Sequence, residues 1–234
     1  MLIADRNGMV SATKSTPTAR DYVQTGLVAM WDGIENAGWG VHDAAATVWK
    51  DLVGTRDATL SGTYSWGANY WDVHSVYDRG LATWDGTNLP TSQTIEIALH
   101  TDAYVGYGRM MAEAPGIPSP CYDTRNNVNV VRMYGYGLDA GATIQGLNVL
   151  DSHSYSIAHP SGGPLTWYVD GSDVWTRATG NDSSGATNGY FANNSLYNRG
   201  IDSKYHCIRI YNRALTAAEI AANYAIDKAR FNLP

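Results

Sequence analysis

At 234 residues, with 44% hydrophobic and 16% charged side chains, the chain is long enough for one sizeable core and too apolar for a disordered segment. Its formal charge of −6, without any run of basic residues, excludes the electrostatic footprint of a nucleic-acid binder and polybasic docking on a membrane. No apolar stretch approaches the roughly 20 residues that a membrane span requires, so membrane insertion is not expected.

Composition also points to an architecture. There are 24 Gly, and 16 Tyr and 8 Trp stand against 2 Phe. Only four of the 22 acidic residues are Glu, at positions 35, 96, 113 and 219. Asp and Gly belong to turns, whereas rings with a polar handle suit sheet surfaces and contact faces. Many short strands joined by turns are the expected result.

Residues 1–21 are small and polar and read as an N-terminal arm or linker, followed by a domain over 22–234. The opening stretch "MLIADRNGMVSATKSTPTARD" lacks the apolar centre of a secretory signal, so a role outside the cell would require another exit route or assembly into a particle. In "GLVAMWD", Leu27, Ala29 and Trp31 share one face and Val28 and Met30 the other, as in a strand buried on both sides. "TVWKDLVG" reads as the next strand, closing at Gly54. "TIEIALH" alternates cleanly, with Ile95, Ile97 and Leu99 inward and Thr94, Glu96 and Ala98 toward solvent.

"NVNVVRMYGYG" and "SYSIAHP" continue the pattern. In "LTWYVDGSDVWTRAT", Asp170-Gly171 marks a type I′ hairpin. "YHCIRIYN" places His206, Ile208 and Ile210 on one face and Tyr205, Cys207, Arg209 and Tyr211 on the other. One helix is expected in "ALTAAEIAANYAIDKARF". Thr216 and Glu219 form a capping box there, Leu215 and Ile220 a hydrophobic staple, and Ile220, Tyr224, Ala221 and Lys228 a stripe facing a sandwich edge. Cys121 and Cys207 allow one disulfide, although two buried free thiols are the favoured reading at this size. The predicted architecture is an all-β antiparallel sandwich with one short C-terminal helix.

The order of "GLVAMWDG", "TVWKDLVG", "LATWDGTN", "TIEIALH", "LTWYVDGS" and the terminal block "YHCIRIYNRALTAAEIAANYAIDKARF" resembles the laminin-G-like branch of the concanavalin A-like lectin/glucanase jelly rolls. The terminal block is similar to the closing strand and helix of bacterial and prophage proteins of this type. The resemblance covers roughly residues 22–231 and implies a jelly-roll β-sandwich. It leaves function open, because the fold hosts lectins, glycosidases, adhesion modules and virion proteins.

Glycoside hydrolysis needs two carboxylates about 5–9 Å apart across the scissile bond. No Glu here lies in the E-x-D-x-(x)-E pattern of the fold's glucanases. Glu96 sits on the outward alternation, Glu219 belongs to the capping box, and Glu35 with Asp32 or Asp43 is the one conceivable pair. No catalytic residue is assigned. His42, His74, His100, His153, His159 and His206 lack zinc spacing. The resemblance implies that a calcium ion at a sandwich rim is worth considering, with Asp43, Asp170, Asp173 and Asp182 as candidates, but no D-x-D-x-D-G loop occurs and turn formation is the competing reading.

A saccharide site needs an aromatic plate beside groups that reach hydroxyls. "ENAGWGVHD" offers Trp39, His42 and Asp43; "TYSWGANYWDVHSVYDRG" offers Trp66, Tyr70, Trp71, His74 and Tyr77; "TGNDSSGATNGY" is a third polar loop. Trp31, Trp49, Trp84 and Trp167 are assigned to the core, and Trp39 and Trp71 stand between the two roles. The expected function is a non-catalytic, lectin-like module that binds a glycan or host cell surface as part of a phage or prophage virion. The alternative is a structural virion subunit that uses the aromatic loops and the arm for protein contacts, and a glycoside hydrolase comes third.

Overall fold

The computed structural model describes residues 15–73, 81–85, 91–103, 108–113, 121–124, 130–134, 143–145, 147–148, 150–178, 188–192 and 201–234, with the short pairs 3–4 and 10–11. Near the N-terminus, β1 (Ile3–Ala4) pairs with β2 (Val10–Ser11), and Ala19–Asp21 makes a single 3-10 turn. Then come β3 (Leu27–Asp32), β4 (Val48–Trp49), β5 (Ala58–Ser61), β6 (Tyr64–Trp66), β7 (Trp71–Val73), β8 (Leu81–Asp85) and β9 (Gln93–Ala103). The middle of the chain carries β10 (Gly108–Arg109), β11 (Met111–Glu113), β12 (Cys121–Thr124), β13 (Val130–Tyr134) and β14 (Thr143–Gln145). Last are β15 (Ser152–His159), β16 (Leu165–Val169), β17 (Ser172–Arg177), β18 (Asn188–Phe191), β19 (Asp202–Tyr211) and the helix α1 (Ala217–Phe231).

The larger sheet has the order β17-β16-β15-β9-β19-β7-β6, and β3 lies beside β19 where β7 has ended. The smaller sheet runs β11-β18-β8-β5-β4, and β10, β12, β13 and β14 form a third. Every pairing among the described residues is antiparallel. Asp170 and Gly171 both adopt positive φ, 50° and 75°, which is the backbone that the predicted Asp-Gly hairpin requires.

The two main sheets close on a core of rings. Trp31, Trp71 and Tyr205 from the larger sheet meet Trp49, Trp84 and Phe191 from the smaller one. Trp31 stands 5.3 Å from Trp84 and 5.0 Å from Phe191, and Trp49 is 5.9 Å from Trp71. Burying each such ring contributes about 2–3 kcal/mol. Trp84 lies so close to β18 that a Cβ on Gly189 would sit 2.0 Å from its indole, so glycine is required there.

The opposite face of the larger sheet is covered by α1 and by residues 19–22. Met30, Ala98, Cys207 and Tyr211 of the sheet pack there against Leu215, Ile220 and Phe231, with Tyr22 completing the layer. Thr216 and Glu219 form the predicted capping box: the Thr216 hydroxyl accepts from the Glu219 N–H at 3.3 Å, and the Glu219 carboxylate accepts from the Thr216 N–H at 2.9 Å. Arg213, with the capping bonds, holds the Glu219 carboxyl down at about 2.

Several expectations need correction. Glu96 does not face solvent: it is 1% exposed beneath α1, where Arg209 Nε donates to it at 2.8 Å. Burial raises its pKa, and the Arg209 charge works against that rise. The buried stripe of α1 is largely polar, with Asn223, Asp227 and Arg230 inward, whereas Ala221 and Lys228 face out. The helix spans a sheet face and not an edge, since Asn223 donates to Glu96 on β9 and Asp227 accepts from Ser154 on β15 and Arg209 on β19.

The expected strand "TVWKDLVG" is ordered as a strand at Val48–Trp49 only. Beyond it the Asp51 carboxylate accepts from the N–H groups of Met30, Val53 and Arg56, which bends the chain into a loop. In β19 the register shifts between Tyr205 and Cys207, so the strict alternation fails. Tyr205 joins the core between the sheets, while His206 turns to the helix side and stacks on Phe231 at 5.0 Å. Cys207 is a buried free thiol, pushed well above the ordinary thiol range by burial.

Candidate functional site

The loop between β3 and β4 is built on its own carboxylates. Asp32 Oδ1 accepts from the N–H groups of Ile34 and Glu35, and Glu35 Oε2 accepts from the N–H of Gly40. Buried Asn36 clasps Asp43, donating to its carbonyl at 2.8 Å and accepting from its N–H at 2.7 Å, and Asp43 Oδ1 accepts from Ala45. Asp32 also binds Arg230 at 2.6 Å. Each of these three carboxylates is therefore engaged in shaping the chain.

The remaining members of the predicted loop site separate. Trp39 is half-buried against the layer beneath α1, with the Arg20 guanidinium 4.0 Å above its ring. His42 is exposed, with Nδ1 3.2 Å from the Gly33 carbonyl. Trp66 is half-buried, donates to the Ala46 carbonyl at 2.9 Å and meets Trp49 edge-on at 5.4 Å. Trp71 is fully buried between Trp49 and Tyr205, so it belongs to the core and offers no face to a ligand. His74, Tyr77 and Asp182 lie outside the described residues.

Among the calcium candidates, Asp43 is the turn former just described. Asp170 accepts from the Ser154 N–H at 2.9 Å and lies 2.7 Å from His153 Nδ1, while Asp173 is exposed on β17. Among the described residues, no three His, Cys, Asp or Glu side chains converge.

Tyr70 is half-buried where the two aromatic loops come together. It ends the tight turn from β6 to β7, closed by a Gly67 N–H bond to the Tyr70 carbonyl at 2.9 Å. Its ring lies directly over Gly67, where a Cβ would meet it at 2.2 Å. Its edge abuts His206, 5.9 Å away at 89°, and His206 Nδ1 is 3.1 Å from the Asn69 carbonyl. Gly33 closes on the same turn, since a Cβ there would be 2.6 Å from the Asn69 carbonyl oxygen, and its N–H donates to the His206 carbonyl. The two aromatic loops thus meet at His206 and fix Tyr70 at the rim of the larger sheet.

Beside Tyr70 a polar row crosses five strands. Ser65 pairs with Asp72, Asp72 with Lys204, Lys204 with His100, and His100 with Ser152. Four strand spacings make the row roughly 19 Å wide. Lys204 Nζ lies 5.9 Å from the Tyr70 ring centre and forms an ion pair with Asp102. Partial burial alone would lower the Lys204 ammonium, but the hydrogen bond and charge of Asp102 raise it above its usual value. His100 Nδ1 is 3.2 Å from the Ser152 hydroxyl and its Nε2 is 3.5 Å from Asp102. The row ends in an open depression of about 400 Å³ lined by His100, Asp151, Ser152, Asn232 and Pro234, just beyond the C-terminus of α1.

The sequence pattern alone did not single out Lys204, which lies beside Tyr70, or His100, Asp102 and Ser152, which lie with it along the row. Their signal was present as the outward positions of alternating strands, but only the strand registers bring them side by side. The smaller sheet also turns a face outward, where Thr59, Thr83 and Tyr190 lie in register on β5, β8 and β18. Thr59 is exposed there, and Thr83 and Tyr190 are half-buried.

An aromatic ring held rigidly on a glycine, flanked by hydroxyl, carboxylate, ammonium and imidazole groups, can stack on an apolar sugar face and hydrogen-bond its hydroxyls. No protein-family model matches the chain, and no curated protein matches it. Among solved structures the chain is similar to Trypanosoma rangeli sialidase in complex with sialic acid, with a TM-score of 0.67 and 17% identity over 98% of this chain and 36% of that one. A second structure of Trypanosoma rangeli sialidase gives 0.66 and 17%, over 92% and 34% of the two chains. The binding domain of Botulinum Neurotoxin DC in complex with SialylT gives 0.64 and 11%, over 86% of this chain and 51% of that one. The chain spans about a third of the sialidases' length and half of the toxin domain's, and the likeness at such identity is one of fold, an antiparallel β-sandwich.

Proposed function

We propose that residues 22–234 form a non-catalytic glycan-binding module of the jelly-roll, laminin-G-like kind, and that residues 1–21 are its connecting arm. The observation that carries this reading is the placement of Tyr70: a preformed aromatic plate beside the row Ser65, Asp72, Lys204, His100 and Ser152. Solved structures of similar fold in complex with sialic acid or SialylT support a saccharide as the ligand class. The resemblance of the terminal block to prophage proteins supports a virion or extracellular surface as the setting, with a host-surface glycan as the partner.

A glycan array tests the reading. Wild-type protein is expected to bind a subset of the array, and Tyr70→Ala is expected to lose at least ten-fold in affinity while keeping its circular dichroism and melting temperature. A folded wild type that binds no member of a broad array overturns it.

A further inference from the structure

The charge around Tyr70 sets the class of sugar. Lys204 contributes the site's ammonium, but that group is already bound to Asp102 and also feels Asp72 and the Tyr70 phenol. His100 is shared between Ser152 and Asp102. On the wall of the depression stands Asp151, whose carboxylate accepts from Asn148. Asp102 and Asp72 thus act on the ammonium, Asp102 lies by the imidazole, Asp151 lines the adjoining depression, and the whole chain carries a formal charge of −6. Among the described residues of the row, an incoming carboxylate would meet no unengaged cation and would approach against like charge in a half-buried site, where screening is incomplete. Sugar hydroxyls suit the same groups, because a hydroxyl donates to Asp and accepts from Lys or His in one contact.

Resting on the glycan-binding reading above, we infer that this site takes an uncharged saccharide and discriminates against sialylated and other carboxylated sugars. The specificity is electrostatic: Asp102 and Asp151 act as repulsive elements, and selectivity arises as much from exclusion as from attraction.

The test is calorimetric titration with a panel of neutral oligosaccharides, each paired with its sialylated form, lactose and sialyllactose among them. Neutral members are expected to bind at least ten-fold more tightly than their sialylated partners, and the gap is expected to narrow in 1 M salt. Asp102→Asn combined with Asp151→Asn, both outside the hydrophobic core, is expected to improve sialylated ligands at least ten-fold relative to neutral ones. Sialylated members bound as tightly as neutral ones, or selectivity unmoved in the double variant, overturn this inference and leave the glycan-binding reading standing. Binding of no member, charged or neutral, overturns that reading and this inference with it.

Discussion

Arg209 and Asp227 form a bidentate pair, with both guanidinium nitrogens 2.7 Å from the two carboxylate oxygens and neither side chain exposed. The pair joins the middle of β19 to the inward face of α1. Glu96 takes the third guanidinium N–H, Tyr22 donates to Asp227, and the Arg209 guanidinium lies 4.0 Å over the Tyr22 ring. Helix, sheet and Tyr22 are therefore held in one register by one cation. Removing one partner leaves an uncompensated buried charge, so Asp227→Asn or Arg209→Met is expected to destabilise by about 3–5 kcal/mol. Urea denaturation checks this, and a loss under about 1 kcal/mol for both variants would show that the network is dispensable.

His153 gives the fold a pH signature. Burial alone would lower its basicity, but Asp170 at Nδ1 and the Asn148 carbonyl at Nε2 raise it above the ordinary histidine value. A folded value above the unfolded one means that the contribution is fully present below about 6.5 and is lost as pH rises through the folded value. The melting-temperature gap between wild type and His153→Gln is expected to be larger at pH 5.5 than at pH 8.5. A gap that is constant or grows with pH contradicts the assignment.

Gly67 is a positioning residue for the site. Its missing Cβ allows the Tyr70 ring to lie flat on the turn. Gly67→Ala is expected to reduce glycan affinity at least ten-fold with only a small stability change, because the ring must leave its seat while the core stays intact. The same affinity with a displaced ring, seen as a shift in tyrosine resonances, would separate Tyr70 from binding.

Trp39 behaves differently. Its ring is covered by Arg20 and packs on the layer beneath α1. Trp39→Ala is expected to lower thermal stability and leave glycan affinity within two-fold of wild type. An affinity loss equal to that of Tyr70→Ala would move the site to the β3–β4 loop.

Local signals were legible in the sequence. The Thr216/Glu219 box, the Asp170-Gly171 turn and the inward set Ile95, Ile97 and Leu99 each act over a few residues, and the fold keeps all three. What alternation alone hid was long-range. Glu96 meets Arg209 113 positions away, so its burial depends on a helix landing on what looks like a solvent face. The bulge at His206 reverses the face of Tyr205, and one extra residue leaves no mark in a pattern of period two. For the proposed site, aromatic richness singled out two loops that the fold brings together at His206, and Tyr70 lies at their meeting point. Trp71 is its core-facing neighbour, because successive strand residues face opposite ways.

Amide shift mapping of the isotopically labelled protein, titrated with its tightest-binding neutral oligosaccharide, tests the central claim most directly. Saturable shifts are expected to cluster at Gly67–Asp72, His100–Asp102, Asp151–Ser152 and Ser203–His206, with Thr59, Thr83 and Tyr190 unmoved. Shifts centred on Thr59, Thr83 and Tyr190, with the Tyr70 row still, would place the ligand on the smaller sheet and contradict the account.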